Sequence, residues 1–274
     1  MTQGFRLTPD VFAILSAFVE ERAGLHYGLR DFDLFADKVE SRATEAGFDA
    51  ALDYYYFLRY DAGGIAELEA LVDALAVNET YFYREADGLR AVLSTILRPL
   101  IAKGVRPRVW CAACSTGEEP LTLAMMLAEE GLLARTRIVA SDISLLALGR
   151  ARKGIYRPRS LRALPAGVRE RWFDIDGEDA RVRGGLADSV EWKRINLVDP
   201  VSVAGLGTFD AILCRNVLIY FANATVVAVV RSLAATLEPG GHLLVGTSES
   251  LLRFGTMLEC QERGGAFFYV RPTP

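Results

Sequence analysis

Ala112-Ala113-Cys114-Ser115-Thr116-Gly117-Glu118-Glu119-Pro120 is the stretch whose reading decides the fold. An apolar run, Arg108-Val109-Trp110-Cys111, leads into it, and a helical pattern, Leu121 to Leu127, leads out. The small residues and the glycine between them let the backbone turn tightly and approach a ligand closely. Proline opens the helix, where its missing N–H removes no intrahelical bond. Strand, tight turn and helix N-terminus in this order form the crevice of an open α/β sheet, at the carboxyl end of the strand.

Two carboxylates in that turn would repel a phosphate. They suit a ligand that is cationic and rich in hydroxyls and amines, and S-adenosylmethionine, with its sulfonium, ammonium and ribose, is such a molecule. The next strand, Arg137-Ile138-Val139-Ala140-Ser141, ends at Asp142. A carboxylate at the second strand end is placed to accept hydrogen bonds from ribose hydroxyls, although an Asp there also serves as an N-cap.

Further outward, strands and helices alternate, which predicts a mainly parallel sheet with helices on both faces. Strands are expected at Arg108–Ala112, Arg137–Ala140, Phe209–Cys214 and His242–Gly246. A closing hairpin, Met257–Gln261 with Ala266–Val270, is expected around Gly264-Gly265, and Gly240-Gly241 reads as a turn. A helix over Arg90 to Ala102 carries an expected kink at Pro99. Between Arg171 and Ile195 the segments Trp172–Ile175, Ala180–Arg183 and Val190–Ile195 are short and broken by Asp176-Gly177 and Gly184-Gly185. They read as a small antiparallel insert, at about 171–195. Residues 1–75 read as helix throughout: Thr8-Pro9-Asp10 starts the first, and further helices are expected at Phe32–Ala46, Asp49–Tyr60 and Ile65–Leu75. The last carries Ile65, Leu68, Leu71, Val72 and Leu75 on one face. The expected organisation is a helical domain, 1–75, for substrate docking, followed by an α/β domain, 76–274.

The 274 residues are 51% hydrophobic and 24% charged, an ordinary globular composition. Met1 to Asp10 has no apolar leader pattern, and no apolar run reaches a membrane span. Four cysteines without a secretory signal read as reduced thiols of a cytoplasmic protein. Cys111 and Cys114 have a CxxC spacing, but with no second pair or histidine cluster nearby they read as packing residues, and no metal is expected. Residues 1–75 hold 6 basic and 14 acidic side chains, a net of −8, against +4 for the remainder. That acidity disfavours nucleic acid as a partner, and motifs for base methylation (Asn/Asp-Pro-Pro-Tyr, Pro-Cys) are absent.

Several ordered stretches carry a family resemblance. They are Asn78-Glu79-Thr80-Tyr81-Phe82-Tyr83-Arg84, Cys114 to Pro120, Ser141-Asp142-Ile143-Ser144 with Gly154-Ile155-Tyr156, Asn196-Leu197, Phe209 to Phe221 with its Cys214-Arg215-Asn216 core, and Pro239-Gly240-Gly241-His242-Leu243 through Gly246-Thr247-Ser248-Glu249. The chain resembles CheR-type chemotaxis receptor methyltransferases over essentially its whole length. The resemblance implies a Rossmann-like S-adenosylmethionine-dependent methyltransferase domain with a small antiparallel β insert, preceded by a small all-helical domain. It implies methyl transfer to glutamate side chains of chemoreceptors, giving a glutamate methyl ester and S-adenosylhomocysteine. It assigns Asn78, Thr80, Arg84, Ala113, Glu118 and Asp142 to the cofactor site, together with Asn196, Leu197, Arg215 and Asn216. Arg84 and Tyr220 would lie closest to the substrate carboxylate.

The chemistry agrees with that assignment. A glutamate with a reference pKa of about 4.3 is already ionised at neutral pH, so methyl transfer to it needs no general base. The two histidines, His26 and His242, read as structural. Alignment is what remains for the protein to supply. Tyr81, Phe82 and Tyr83 read as either a packed aromatic cluster or a stacking surface. Arg215 either lines the ligand site or pairs with Asp210 or Glu118, and Glu119 reads as a charge facing the helix dipole. Family members commonly dock receptors through a basic N-terminal helix, whereas Asp37 to Glu45 is mixed in charge here. The expected partners are therefore cytoplasmic helices of chemoreceptors or a related acidic helical protein, met by a monomer that does not insert in a membrane. Strand addition at the edge of Val190–Ile195 is one docking route. The competing readings are a carboxyl methyltransferase acting on a non-receptor protein or a small acid, and a non-catalytic S-adenosylmethionine-sensing regulator.

Overall fold

The turn at Ala112–Pro120 sits where the sequence places it, in a computed structural model that describes residues 5–273. Met1–Gly4, the start of the stretch inspected for a leader, lie outside the described residues. The chain divides into two units. One holds the described residues up to Val77 together with Tyr220–Ala222; the other holds Asn78–Ile219 and the described residues from Asn223 onward.

The first unit is built from α1 (Pro9–Ala23), α2 (Phe32–Glu45), α3 (Ala51–Tyr60) and α4 (Gly64–Leu75). The Thr8 hydroxyl accepts the Val11 N–H, and Gly24, at φ 78°, closes α1 in the left-handed region. The core is Phe12, Leu15, Phe18, Phe35, Val39, Tyr54 and Leu71, with Phe12 edge-on to Phe35 at 5.3 Å. Ile65 departs from the expected face of α4 and is 68% exposed. The close approach in that turn is made by Gly64 instead, where a Cβ would lie 2.1 Å from the Phe57 carbonyl. The return segment joins this unit through a bridge between Leu25 and Phe221 and through the His26 N–H, which donates to the Tyr220 carbonyl at 2.8 Å.

Among the described residues the second unit has ten strands: β1 (Arg108–Ala112), β2 (Arg137–Asp142), β3 (Ile155–Tyr156), β4 (Phe173–Asp176), β5 (Asp179–Val182), β6 (Val190–Arg194), β7 (Phe209–Cys214), β8 (Leu237–Val245), β9 (Glu259–Arg263) and β10 (Ala266–Val270). Seven form one sheet in the order β6-β2-β1-β7-β8-β10-β9. The first five run parallel, and β10 and β9 close the edge antiparallel. From β1 the chain steps outward to β2 and β6, then returns to β7 on the other side. The strand order thus reverses between β1 and β7, which opens a crevice beyond their carboxyl ends. Residues 109 to 112 are buried, as a strand covered on both faces requires.

Two expectations are corrected here. Val190–Arg194 is not part of the antiparallel insert: it pairs parallel with β2, Val190 opposite Ile138, as the edge of the large sheet. The sequence Val-Glu-Trp-Lys-Arg alternates in polarity because an edge strand is covered only in part, and that alternation mimics an antiparallel strand. The small sheet is β3-β5-β4, with Ile155–Tyr156 as its third member. Gly240-Gly241 lies inside β8, at an irregularity between the pairs Phe209/Leu237 and Ala211/His242. A Cβ on Gly241 would meet the Glu238 carbonyl at 2.8 Å, so the bulge needs glycine. The helix before β1 runs through α5 (Ala86–Val92), a wide π turn at Leu93–Leu97 and α6 (Arg98–Ala102). Its irregularity precedes Pro99, whose missing N–H leaves the upstream carbonyls to longer-range partners.

Candidate active site

The residues around the crevice follow the carboxyl end of a parallel strand or lie on the strip Asn78–Glu85, which is tied to the turn after β1 by Asn78 and to the following helix by the Tyr83 N–H. After β1, Ala113 and Ser115 take positive φ (54° and 49°) and Gly117 lies at 92°. Such angles cost non-glycine residues roughly 1–3 kcal/mol each, so surrounding structure must hold them. Here the Cys114 N–H donates to the Ser141 carbonyl at 2.8 Å. Gly117 has no room for a side chain, since a Cβ would lie 2.8 Å from Ala151 and 2.9 Å from Trp192. The turn leads into α7 (Glu118–Glu129).

Asp142, at the end of β2, is 8% exposed. It accepts the Ser115 N–H at 2.8 Å and the Ser144 N–H at 2.9 Å, so it ties the β1 turn to its own. The chain leaving β6 is tied to the same point. The Ile195 N–H donates to the Asp142 carbonyl at 3.1 Å, which places Asn196 and buried Leu197 beside it, with Asn196 Oδ1 accepting the Val198 N–H. On the other side Asn78 Oδ1 accepts the Ser115 hydroxyl at 2.9 Å. Ala113, Asp142, Asn196, Leu197 and Asn78 are thus gathered around one turn.

Glu118 and Glu119 point to different partners. Glu118 is 1% exposed and accepts the hydroxyls of Thr116 at 2.7 Å and Ser160 at 2.9 Å. Burial raises its pKa, and the two hydroxyls oppose the rise. Glu119 is not simply a charge facing the helix dipole, because it accepts Arg215 Nη1 at 2.7 Å. Arg215, buried after β7, also reaches Glu85 at 3.1 Å and the Arg84 carbonyl at 2.9 Å through Nη2. The expected pairing with Asp210 or Glu118 is therefore replaced. Asp210 accepts the Arg108 backbone N–H instead, at 2.8 Å. Desolvation lowers the Arg215 pKa, but the two glutamates outweigh it and the guanidinium is held charged.

Two acids that sequence reasoning did not single out complete this layer. Glu85, at φ 47°, accepts Arg215, Asn216 Nδ2 at 3.2 Å and the Thr247 N–H at 3.3 Å. Glu249, 5% exposed, accepts the N–H groups of Asn216 (2.6 Å), Gly246 (2.8 Å) and Ile219 (3.2 Å). It fixes Asn216 at φ 58°. Glu249 ends the matched β8 stretch, whereas Glu85 lies one residue beyond the stretch that closes at Arg84.

Arg84 is half-buried and donates through Nη1 to the Glu79 carbonyl at 2.5 Å. Thr80 lies on the same strip, also half-buried. Phe82 and Tyr83 are packing residues: Phe82 is fully buried, edge-on to Tyr156 at 4.7 Å and Phe173 at 5.1 Å. Tyr81 instead faces two arginines, with Arg162 at 3.8 Å and Arg84 at 5.7 Å from its ring centre. Tyr220 ends the short helical turn Leu218–Tyr220, four residues beyond Asn216, and groups with the first unit. Cys111, Cys114 and Cys214 are buried free thiols whose pKa burial pushes up, and among the described residues no His/Cys/Asp/Glu group could hold a metal.

Residues 78–264 match the family described as CheR methyltransferase, SAM binding domain. The chain belongs to the CheR methyltransferase family. It is 34% identical to the chemotaxis protein methyltransferase of Salmonella typhimurium, covering 91% of this chain and 87% of that one. It is 32% identical to chemotaxis protein methyltransferase 1 of Pseudomonas aeruginosa, over 88% and 90% of the two chains. The Vibrio parahaemolyticus chemotaxis protein methyltransferase is 40% identical over 69% and 71%. This CheR-family chain is accordingly an S-adenosylmethionine-dependent methyltransferase, and the matched region takes in every strand end of the crevice. The left-handed turn, the small residues around it and the buried carboxylate of Asp142 fit that cofactor. The α/β fold with its small antiparallel sheet and preceding helices is the one expected from sequence.

Proposed function

We propose that this chain methylates glutamate side chains on the cytoplasmic helices of a chemoreceptor, working as a monomer in the cytoplasm. The observation that carries the reading is the position of Arg84, a half-buried cation on the strip that packs against the β1 turn. S-adenosylmethionine supplies an electrophilic methyl group, and the acceptor carboxylate is ionised at neutral pH without help. The residues of this chain therefore bind and align. Asp142 accepts ribose hydroxyls, sharing a carboxylate that offers about four acceptor positions. Asn78, Thr80, Ala113, Glu118, Asn196 and Leu197 line the cofactor. Arg215 and Asn216 shape that site from behind β7, with Arg215 held by Glu119 and Glu85. Arg84 holds one oxygen of the substrate carboxylate while the other attacks, and Tyr220 keeps the second substrate contact that the family resemblance gives it. No helix among the described residues is long and apolar enough to cross a membrane.

The test is transfer of tritiated methyl into cytoplasmic fragments of candidate receptors. Base-labile label released as methanol identifies a carboxyl ester. Tight binding of S-adenosylhomocysteine without transfer to any receptor fragment would favour a sensing role instead. Asp142→Ala is expected to weaken S-adenosylhomocysteine roughly tenfold to a hundredfold, since hydrogen bonds to an ionised group contribute about 1.5–3 kcal/mol. Unchanged affinity by calorimetry would remove Asp142 from the ribose.

A further inference from the structure

Three guanidinium groups, those of Arg84, Arg159 and Arg162, gather around Glu79. Glu79 accepts Arg162 Nη2 at 2.6 Å on one oxygen and Arg159 Nη2 on the other. Its carbonyl takes Arg84 at 2.5 Å. Arg162 lies 3.8 Å over the Tyr81 ring, and Arg84 lies 5.7 Å from the same ring centre. Glu79 is the carboxylate that these cations hydrogen-bond, and with Glu118, which also feels Arg162, two acids stand against three cations. The two arginines reach it from a distant part of the chain, the turn Pro158–Leu161 and the residue after it. That turn is fastened in place: the Phe82 N–H donates to the Ser160 carbonyl at 2.9 Å, and the Ser160 hydroxyl donates to Glu118.

The donors are not exhausted by Glu79. A guanidinium carries five N–H groups in a planar fork. Arg162 gives one to Glu79 and one to the Arg159 carbonyl at 2.8 Å, and its plane is steadied by Tyr81. The Arg159 side chain is 76% exposed. Burial works to raise the Glu79 pKa, but Arg159 and Arg162 more than reverse it, so the acid stays ionised and holds both arginines in place.

The wider charge pattern points the same way. Residues 150–172 carry eight basic side chains and one acid, Glu170. By contrast the first 75 residues have a net charge of −8. Arg42, the arginine of α2, is held by Glu67 at 2.5 Å and Glu45 at 2.6 Å. Of the basic residues at 150–172, Arg159 and Arg162 are the two that reach Glu79, beside the arginine assigned to the reacting carboxylate.

We propose that Arg159 and Arg162 form a second carboxylate-binding point, which takes an acidic side chain of the substrate within one helical turn of the glutamate that is methylated. The guanidinium carbons of Arg84 and Arg162 are no farther apart than the sum of their distances to the Tyr81 ring centre. That upper bound admits carboxylates three or four residues apart on a helix, whose Cβ atoms lie about 5–6 Å apart. The inference rests on the reading that the substrate is a protein-borne glutamate. The amino-acid carboxylate of the cofactor is the other source of the same chemistry, and the exposure of Arg159 favours the macromolecule.

The experiment uses a receptor fragment that the wild-type protein methylates, and the same fragment with the acids within one turn of the methylated glutamate changed to glutamine. Arg159→Gln and Arg162→Gln are each expected to raise KM for the first fragment about tenfold with kcat nearly unchanged. Wild type should show a similar rise on the second fragment, where the variants should add little further loss. Arg162→Lys should retain part of the effect, and S-adenosylhomocysteine affinity should be unchanged in all variants. An equal loss on both fragments, a loss of S-adenosylhomocysteine affinity, or wild-type kinetics in both glutamine variants overturns the proposal while leaving the methylation reading intact. If wild type labels no fragment, the methylation reading falls and this one with it.

Discussion

Arg215 and Arg159 both pair with glutamates in the second unit, but the Arg215 side chain is 3% exposed and that of Arg159 is 76% exposed. Arg215 has Glu119 on Nη1, and Glu85 together with the Arg84 carbonyl on Nη2, in a layer where the two glutamate side chains keep only 16% and 24% exposure. Arg159 shares Glu79 with Arg162 at the surface. A buried ion pair pays heavy desolvation on forming and leaves an uncompensated charge if one partner is lost, so it acts as scaffold. A surface pair is screened and exchanges partners readily, so it suits recognition. The same residue types thus build the back wall of the crevice and its rim.

The sharpest way to break this comparison is Arg215→Met. Glu119 and Glu85, both half-buried, would then lose the buried cation between them, and a loss of about 3 kcal/mol is expected in urea unfolding. Glu119→Gln in that background should recover part of the loss. A loss below about 1 kcal/mol would mean that the layer is not structural.

His242 offers a third case, a buried base without an ionic partner. Burial first, and then Arg263, push its pKa from 6.5 down to about 4. The folded form therefore binds its proton less readily than the unfolded form. Its contribution is fully present above pH 6.5 and is lost as the pH falls toward 4. The loss amounts to up to about 3 kcal/mol. His242→Leu should flatten unfolding free energy over that window relative to wild type. An identical pH slope in the two proteins would exclude His242 as its source.

Arg84 stands between the buried and exposed extremes. Arg84→Ala is expected to lower the methylation rate about a hundredfold, equivalent to about 2.7 kcal/mol of lost alignment. Arg84→Lys should rescue poorly because a point charge lacks the planar fork. Full activity in the lysine variant would reduce the role to bulk charge. The smallest effect is expected at the rim, where Arg159→Gln should change folding stability by less than about 1 kcal/mol. A larger loss in thermal unfolding would move Arg159 from recognition to scaffold.

The elements that were legible in sequence are those whose signal is local. Buried parallel strands read as apolar runs, and β1, β2 and β7 emerged within two residues of their expected ends. Helix α1 announced itself through Thr8-Pro9 and closed at Gly24. Val190–Arg194 misled because an edge strand of a parallel sheet has the alternation of an antiparallel one. The closing hairpin was displaced by two residues in its first strand, Glu259–Arg263, since a half-exposed edge offers little apolar contrast. In the crevice, Asp142 was legible as a carboxylate at a strand end, whereas Glu85 and Glu249 were not, because nothing in their neighbours signals a buried acid.

By itself the sequence determined that this chain is an α/β protein with a strand-end crevice, a preceding set of helices and membership in the CheR methyltransferase family. Periodicity, small residues at a tight turn and ordered motifs are properties of short segments, and they survive without knowledge of what packs on what. Only the tertiary structure decided that Glu118 turns to hydroxyls and Glu119, its neighbour, to Arg215. It also brought Arg159 and Arg162 to Glu79 across 80 and 83 residues of chain. Adjacent residues on a helix point roughly 100° apart, so two neighbouring acids meet whatever the docked elements present on each side. Charges far apart in sequence become partners only when the sheet has set where their turns end.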